Sequence, residues 1–296
     1  MFRSCPAERP AASVGAVTRL CPVCRLPHPI QSRFSRDGWI LRECPATGSL
    51  YLENAPEYAA LESEYAFEVT MQQERDRRGR EEPRWSRLSD TMKGLRRLVF
   101  PRRNKFEGLI KEAWTTCGRP AEFRVLDIGC GSGGVLEGFV ATFAALGVRV
   151  IPSGIEISKE LSRLAGERLA AYGGLVLNLP ALEGIQGSSA QHFHCALMSS
   201  YLEHETATGE VLSALRGRLV PGGRVLIKVP NYACWNRHFR GARWCGFRFP
   251  DHVNYFTPTG LRRQVEEAGF DVARMKLADR FPLSDNMYLV AAAKRD

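Results

Sequence analysis

The sequence predicts an α/β protein built on a parallel sheet, preceded by a small cysteine-rich head. Three observations carry this. From Phe123 onward, short apolar runs alternate with stretches of helical periodicity, the pattern of βαβ units. A glycine-rich loop joins the first of those strands to the first of those helices. Three of the nine cysteines fall in a CPVC…C arrangement within the first 44 residues. At roughly 150 residues per domain, 296 residues suit one large domain or one plus a small module. Hydrophobic residues at 44% and charged residues at 25% exclude a disordered or low-complexity chain.

The strands and helices follow in order. Phe123–Ile128 is apolar except at Arg124 and Asp127 and suits a buried first strand. Gly134–Leu146 sets Val135, Leu136, Phe139, Val140, Phe143 and Leu146 at helical spacing. Ser153–Ile157 reads as the second strand and Lys159–Ala171 as the second helix. Leu175–Leu179, His194–Met198 and Arg224–Val229 are the third, fourth and fifth strands. Leu261–Ala268 is a helix ended by Gly269, and Val272–Ala278 with Met287–Ala292 closes the sheet. The chain divides into a head (1–58), a charged, mostly helical linker or lid (59–120) and the α/β domain (121–296).

No run of about 18 apolar residues exists, which excludes a membrane-spanning helix. The first twenty residues lack the apolar stretch of a secretory signal. An odd cysteine count in a long chain reads as reduced thiols, so the cytoplasm is the expected compartment. The net charge of +9 is uneven: Arg75–Lys105 holds twelve Arg or Lys against four Asp or Glu, a net of +8. Such a segment is either a solvated helix face or an attractor of phosphate-bearing partners.

The sharpest motif is VLDIGCGSGG, Val125 to Gly134. Gly129, Gly131 and Gly133 permit a tight turn and close backbone approach, and the helix beyond offers unpaired N–H groups. Gly129, Gly131 and Gly134 also fit the dinucleotide fingerprint. Asp127 argues against that reading, because it would hinder a pyrophosphate yet meet an ammonium group. Pro221-Gly222-Gly223 before the fifth strand argues the same way.

With these blocks and two more, GIEIS (Gly154 to Ser158) and CALMSSYLEHE (Cys195 to Glu205), the chain from about 121 to 296 resembles the class I S-adenosylmethionine-dependent methyltransferases. The Leu-Glu-His block is similar to the branch that includes ubiquinone-biosynthesis O-methyltransferases. The resemblance implies a Rossmann-like seven-stranded sheet with helices on both faces. It implies that Asp127 lies near the methionine end of the cofactor S-adenosylmethionine, with Gly129, Cys130, Gly131 and Gly133 lining it. Glu156 would accept from the ribose hydroxyls, Ile157 would pack on adenine, and Ser199 or Ser200 would approach the methionine part. His194, where an acidic residue is usual, and the segment between the third and fourth strands depart from the family pattern.

The head, CPVCRLPHPI…RECPATGSLYL, resembles the zinc-ribbon head of some bacterial methyltransferases of sugars, glycans and natural products. Cys21, Cys24 and Cys44 are the metal candidates, and Thr47 stands where a fourth thiolate belongs. Structural zinc takes four N or S ligands, which His28 or Cys5 could complete. The other reading is a ribbon that keeps its shape by packing alone.

A hydroxyl nucleophile benefits from a base near neutral pKa. His204, after the fourth strand, and His252, in FPDHVNYFTP, are the candidates; each could instead brace its loop. Tyr201, Arg243, Trp244 and Tyr255 are the candidate substrate contacts. Arg237, Arg240, Arg243 and Arg248 interleave with aromatics between Asn236 and Phe249, which suits either an anionic substrate with a flat part or cation–π packing of a loop. The leading expectation is O-methylation of a small molecule: a sugar, glycan precursor or secondary metabolite. The alternatives are an RNA methyltransferase using 75–105, whose binding would fall steeply with salt, and C- or N-methylation of a small molecule. No Asn-Pro-Pro-Tyr motif of amino-group methylation is present.

Overall fold

The computed structural model describes residues 17–56, 105–189 and 192–294. Four short strands open it: β1 (Val17–Thr18), β2 (Leu41–Glu43), β3 (Leu50–Leu52) and β4 (Asn54–Ala55). Helix α1 (Lys105–Thr116) follows, burying Phe106, Leu109, Ile110 and Ala113 on one stripe. The basic segment 75–105 lies outside the described residues except for Lys105, as does most of the linker expected over 59–120.

The alternation then runs as the sequence predicts: β5 (Glu122–Ile128), α2 (Gly134–Ala144), β6 (Arg149–Ile155), α3 (Lys159–Ala170), β7 (Leu175–Leu177), α4 (Ala181–Gln186), β8 (Phe193–Ser199), α5 (Thr208–Arg216) and β9 (Leu219–Pro230). After β9 come α6 (Trp235–Arg240), β10 (Asn254–Tyr255), α7 (Pro258–Glu267), β11 (Phe270–Arg274) and β12 (Asn286–Ala293). Seven strands form one sheet in the order β11-β12-β9-β8-β5-β6-β7. The pairs from β9 to β7 are parallel, and β12 runs antiparallel between β9 and β11. Helices cover both faces: β5 buries Leu126 and Ile128 against one core and Phe123 and Val125 against the other.

Local chemistry sets the ends. Ser158 caps α3 by accepting from Leu161 N–H, and Thr257 caps α7 by accepting from Gly260 N–H with Pro258 behind it. Two strands are shorter than expected. The third stops at Leu177 because the Asn178 amide turns back to the carbonyls of Glu156 and Ile157. The sixth stops at Arg274 because buried Asp279 draws the Arg274 guanidinium and Lys276 N–H into a 3₁₀ turn. Helix α6 was not expected.

The head shares its sheet with the domain that follows. β2 and β3 pair antiparallel, and the third strand of that sheet is β10, some two hundred residues on, with Tyr255 opposite Leu50. Phe34, Leu41, Leu50 and Leu52 of the head share one core with Tyr232, Trp244, Phe247, Val253 and Tyr255. Thr257 Oγ1 donates to Thr47 O at 2.7 Å, and Arg19 reaches Thr206 O and Asn254 Oδ1, both at 3.1 Å.

Candidate active site

The sheet order reverses at β5, whose neighbours β6 and β8 lead opposite ways, and ligands of open α/β sheets lie outside such a switch point. The chain there is the glycine loop. Gly129, Gly131 and Gly133 have φ of 72°, 55° and 78°, the left-handed region that favours glycine. A Cβ on Gly129 would also stand 2.9 Å from the Tyr201 ring, whereas one on Gly131 would meet nothing within 4 Å. The loop is pinned by Gly129 N–H and Cys130 N–H donating to Ile155 O at 2.8 and 3.2 Å.

Two carboxylates face this loop from adjacent strands. Glu156 accepts from Gly131 N–H at 2.8 Å through one oxygen and from Ser158 N–H at 2.9 Å through the other, so the carboxylate is fixed. Asp127 is buried, and its Oδ1 has no hydrogen-bond partner among the described residues. Burial, with Glu156 adding to it, raises the Asp127 pKa well above the usual carboxylate range. An orphaned buried carboxylate oxygen beside an open glycine loop fits a ligand that brings an ammonium group. The Cys130 thiol is also buried and pushed up, which makes it lining and not a nucleophile. Ile157 follows Glu156, its carbonyl held by Asn178 at 2.8 Å, a residue the sequence reading missed.

Ser199 ends β8, and Ser200 follows with φ 60°. Ser200 N–H donates to Lys228 O at 2.8 Å, and Lys228 Nζ donates to Ser200 Oγ at 3.2 Å. Lys228 thus brings a positive charge to the ends of β8 and β9 that no motif announced. The Tyr201 hydroxyl bonds Glu205.

Beyond Tyr201 the structure brings both candidate histidines together. The rings of His204 and His252 lie 4.7 Å apart at 85°. His204 Nδ1 stands 2.9 Å from Asp251 Oδ1, which places Nε2 on the opposite edge of the ring. Arg248 meets the other Asp251 oxygen at 2.5 Å. His252 Nδ1 lies 2.8 Å from Gly246 O. One ligand atom each of Glu203, His204 and His252 lies within 4.8 Å of the other two. Burial opposes a charged ring at His204, but Asp251 and Glu203 outweigh it and raise its pKa. Burial and then His204 push His252 well below the usual histidine value. Burial likewise opposes ionisation of Asp251, yet its histidine and arginine neighbours bring its pKa down to about 2.

The candidate substrate contacts fare differently. Trp244 and Tyr255 are each 1% exposed and belong to the core that joins head and loop, with Trp244 Nε1 donating to Asp285 Oδ1 at 2.8 Å. Their rings are used in packing and offer an acceptor no face. Arg243 is exposed in the 3₁₀ turn after α6. The arginine–aromatic stretch largely serves structure: Arg237 stacks on Tyr232 at 4.4 Å, Arg36 on Phe249 at 4.9 Å, and Arg248 pairs with Asp251.

In the head, Cys21, Cys24 and Cys44 converge, and His28 joins them; one ligand atom from each lies within 4.8 Å of the others. Three thiols and an imidazole at such separations fit a four-coordinate zinc ion.

Sheet order, glycine loop and paired carboxylates define a class I S-adenosylmethionine-dependent methyltransferase. The family described as "Methyltransferase domain" matches residues 90–274, and the chain belongs to it. It is 31% identical over 175 residues to the ubiquinone biosynthesis O-methyltransferase of Aeromonas salmonicida, covering 56% of this chain and 70% of that protein. It is 29% identical over 164 residues to the enzyme of the same name from Aromatoleum aromaticum, covering 51% and 65%. Among solved structures, a SAM-dependent methyltransferase from Archaeoglobus fulgidus superposes with TM-score 0.46 at 16% identity, over 67% of this chain and 97% of that one. No helix among the described residues is long and apolar enough to cross a membrane.

Proposed function

We propose that this methyltransferase acts on a hydroxyl group of a small molecule, with His204 as the base. The observation that carries the reading is the Asp251–His204 pair directly after β8, beside His252. When bound, S-adenosylmethionine supplies a sulfonium methyl group open to in-line attack. Asp127 receives its ammonium end, Glu156 holds its ribose, the glycine loop lies along it, and Ile157 packs on its adenine. Asp251 orients the His204 ring through Nδ1, so that Nε2 accepts the hydroxyl proton as the oxygen takes the methyl group. His252, kept neutral by burial, braces the loop and His204. Tyr201 and Lys228 border the acceptor, and Lys228 favours one with a negative charge nearby. The two relatives named as O-methyltransferases support hydroxyl over carbon or nitrogen as the acceptor atom.

Cofactor carrying a labelled methyl group, incubated with the protein and a cell extract split into small-molecule, glycan, RNA and protein fractions, tests this. Label is expected in the small-molecule fraction, in a product that resists the mild base that cleaves methyl esters. Label confined to RNA would refute the proposal.

In the head, Cys21, Cys24 and Cys44 serve a structural zinc ion. Elemental analysis of gently purified protein is expected to find one zinc per chain.

A further inference from the structure

The first knuckle of the head supplies Cys21 and Cys24, but the second supplies only Cys44, because Thr47 replaces the partner cysteine. We propose that His28 is the missing ligand, so that the head holds zinc in a site of three sulfurs and one imidazole nitrogen. The inference rests on the zinc reading above and goes beyond it by naming the ligand set.

Geometry is the first argument. Cys24 Sγ lies 3.0 Å from His28 Nε2 and 4.0 Å from Cys44 Sγ, and all four ligand atoms fall within 4.8 Å of one another. A tetrahedron with Zn–S near 2.3 Å and Zn–N near 2.0–2.1 Å has edges of about 3.8 Å between sulfurs and about 3.6 Å between sulfur and nitrogen. The Cys24–Cys44 separation is close to the first figure, and the Cys24–His28 separation is within about 0.6 Å of the second.

The chain route is the second. Arg25, at φ 57°, turns the backbone after Cys24, and Cys21 N–H closes the knuckle on Leu26 O at 3.1 Å. Pro27 and Pro29 flank His28, and a residue before proline is held extended, which stiffens the arm that carries the ring. The edge of Tyr51 meets the His28 ring at 6.3 Å and 64°.

Thr47 is the third. Its hydroxyl accepts from Ser49 N–H at 3.3 Å. A neutral hydroxyl is a poor zinc donor, so Thr47 leaves the fourth position to another group. The Thr47 backbone carbonyl takes the Thr257 hydroxyl. Thr47 thus ties the head to the start of α7. Cys21 and Cys44 are fully buried, and a closed site of this kind is structural.

The experiment uses the full chain loaded with one equivalent of Zn²⁺. X-ray absorption is expected to give three sulfurs near 2.3 Å and one imidazole nitrogen near 2.0–2.1 Å. His28→Ala should lose the nitrogen shell and bind Zn²⁺ at least 10- to 100-fold more weakly in a chelator competition, the loss typical of removing even an outer partner. His28→Cys should recover tight binding with four sulfurs, which controls for a folding defect in the alanine variant. An unchanged shell and affinity in His28→Ala would overturn the assignment of His28 while leaving zinc in the head. Failure of the unaltered chain to take up Zn²⁺ would overturn both.

Discussion

His204→Ala is expected to lower kcat by about two to four orders of magnitude, the usual contribution of a positioned base, while the Kd for S-adenosylmethionine stays where it was. The two readouts separate because the proposed arrangement gives the cofactor to Asp127 and Glu156 and the acceptor proton to His204. The pH profile sharpens the test. A base works only when deprotonated, and Asp251 raises the His204 pKa, so the rising limb of kcat should lie above the value of about 6.5 usual for histidine. Asp251→Asn removes the charge that raises it, and the limb should move to lower pH as the maximal rate falls. His252→Ala should also lose turnover, through the loop that its bond to Gly246 braces. Full activity in both histidine variants would dispose of a histidine base.

Asp127→Asn is expected to move two quantities in opposite directions. Cofactor affinity should fall by about 1.5–3 kcal/mol, roughly 10- to 150-fold in Kd, as a charged hydrogen bond to the ammonium group is lost. Stability without cofactor should rise, because the native state holds this carboxyl buried and without a donor on Oδ1. The sign follows from linkage. The Asp127 pKa is higher folded than unfolded, so its favourable contribution is complete below the unfolded value and is lost as pH rises through the folded one. Asparagine removes that dependence, and its advantage in Tm over the parent chain should grow from acidic to neutral pH. Calorimetric titration and thermal melts at several pH values check both halves. A variant that binds cofactor normally would place the ammonium group elsewhere.

Much of the cofactor side was legible in the sequence because its chemistry is local. A strand end, three glycines with left-handed φ and a helix start occupy ten consecutive residues, and the carboxylates at 127 and 156 stand beside the carboxyl ends of β5 and β6. The acceptor side was only half legible. His204 and His252 stood out by residue type, but Asp251 did not, since an aspartate next to a histidine in sequence gives no sign that its carboxylate and its backbone carbonyl meet a histidine 47 residues earlier. Lys228 lies within the fifth strand, where nothing local marks it as reaching Ser200. Trp244 and Tyr255 misled for the same reason in reverse: aromatic residues among arginines suit a ligand or a core, and only burial decides. His28 was visible as a candidate, and its nearness to three cysteines depends on a turn set by Arg25 and two prolines.

Because residues 50–52 and 254–255 share a ladder, the head is not a bead that can be cut from the string. Removing it would strip β10 of its backbone partners and open an aromatic wall of Tyr232, Trp244, Phe247 and Tyr255 to water, the kind of raw edge and patch that drives association. The pairing also links the first part of the chain to make contact with nearly the last, a closure that slows folding. A head exchanged between two enzymes of this build would carry the wrong half of a shared core. Substitutions in the head and in residues 232–255 are therefore expected to be non-additive in stability, because the two share one core.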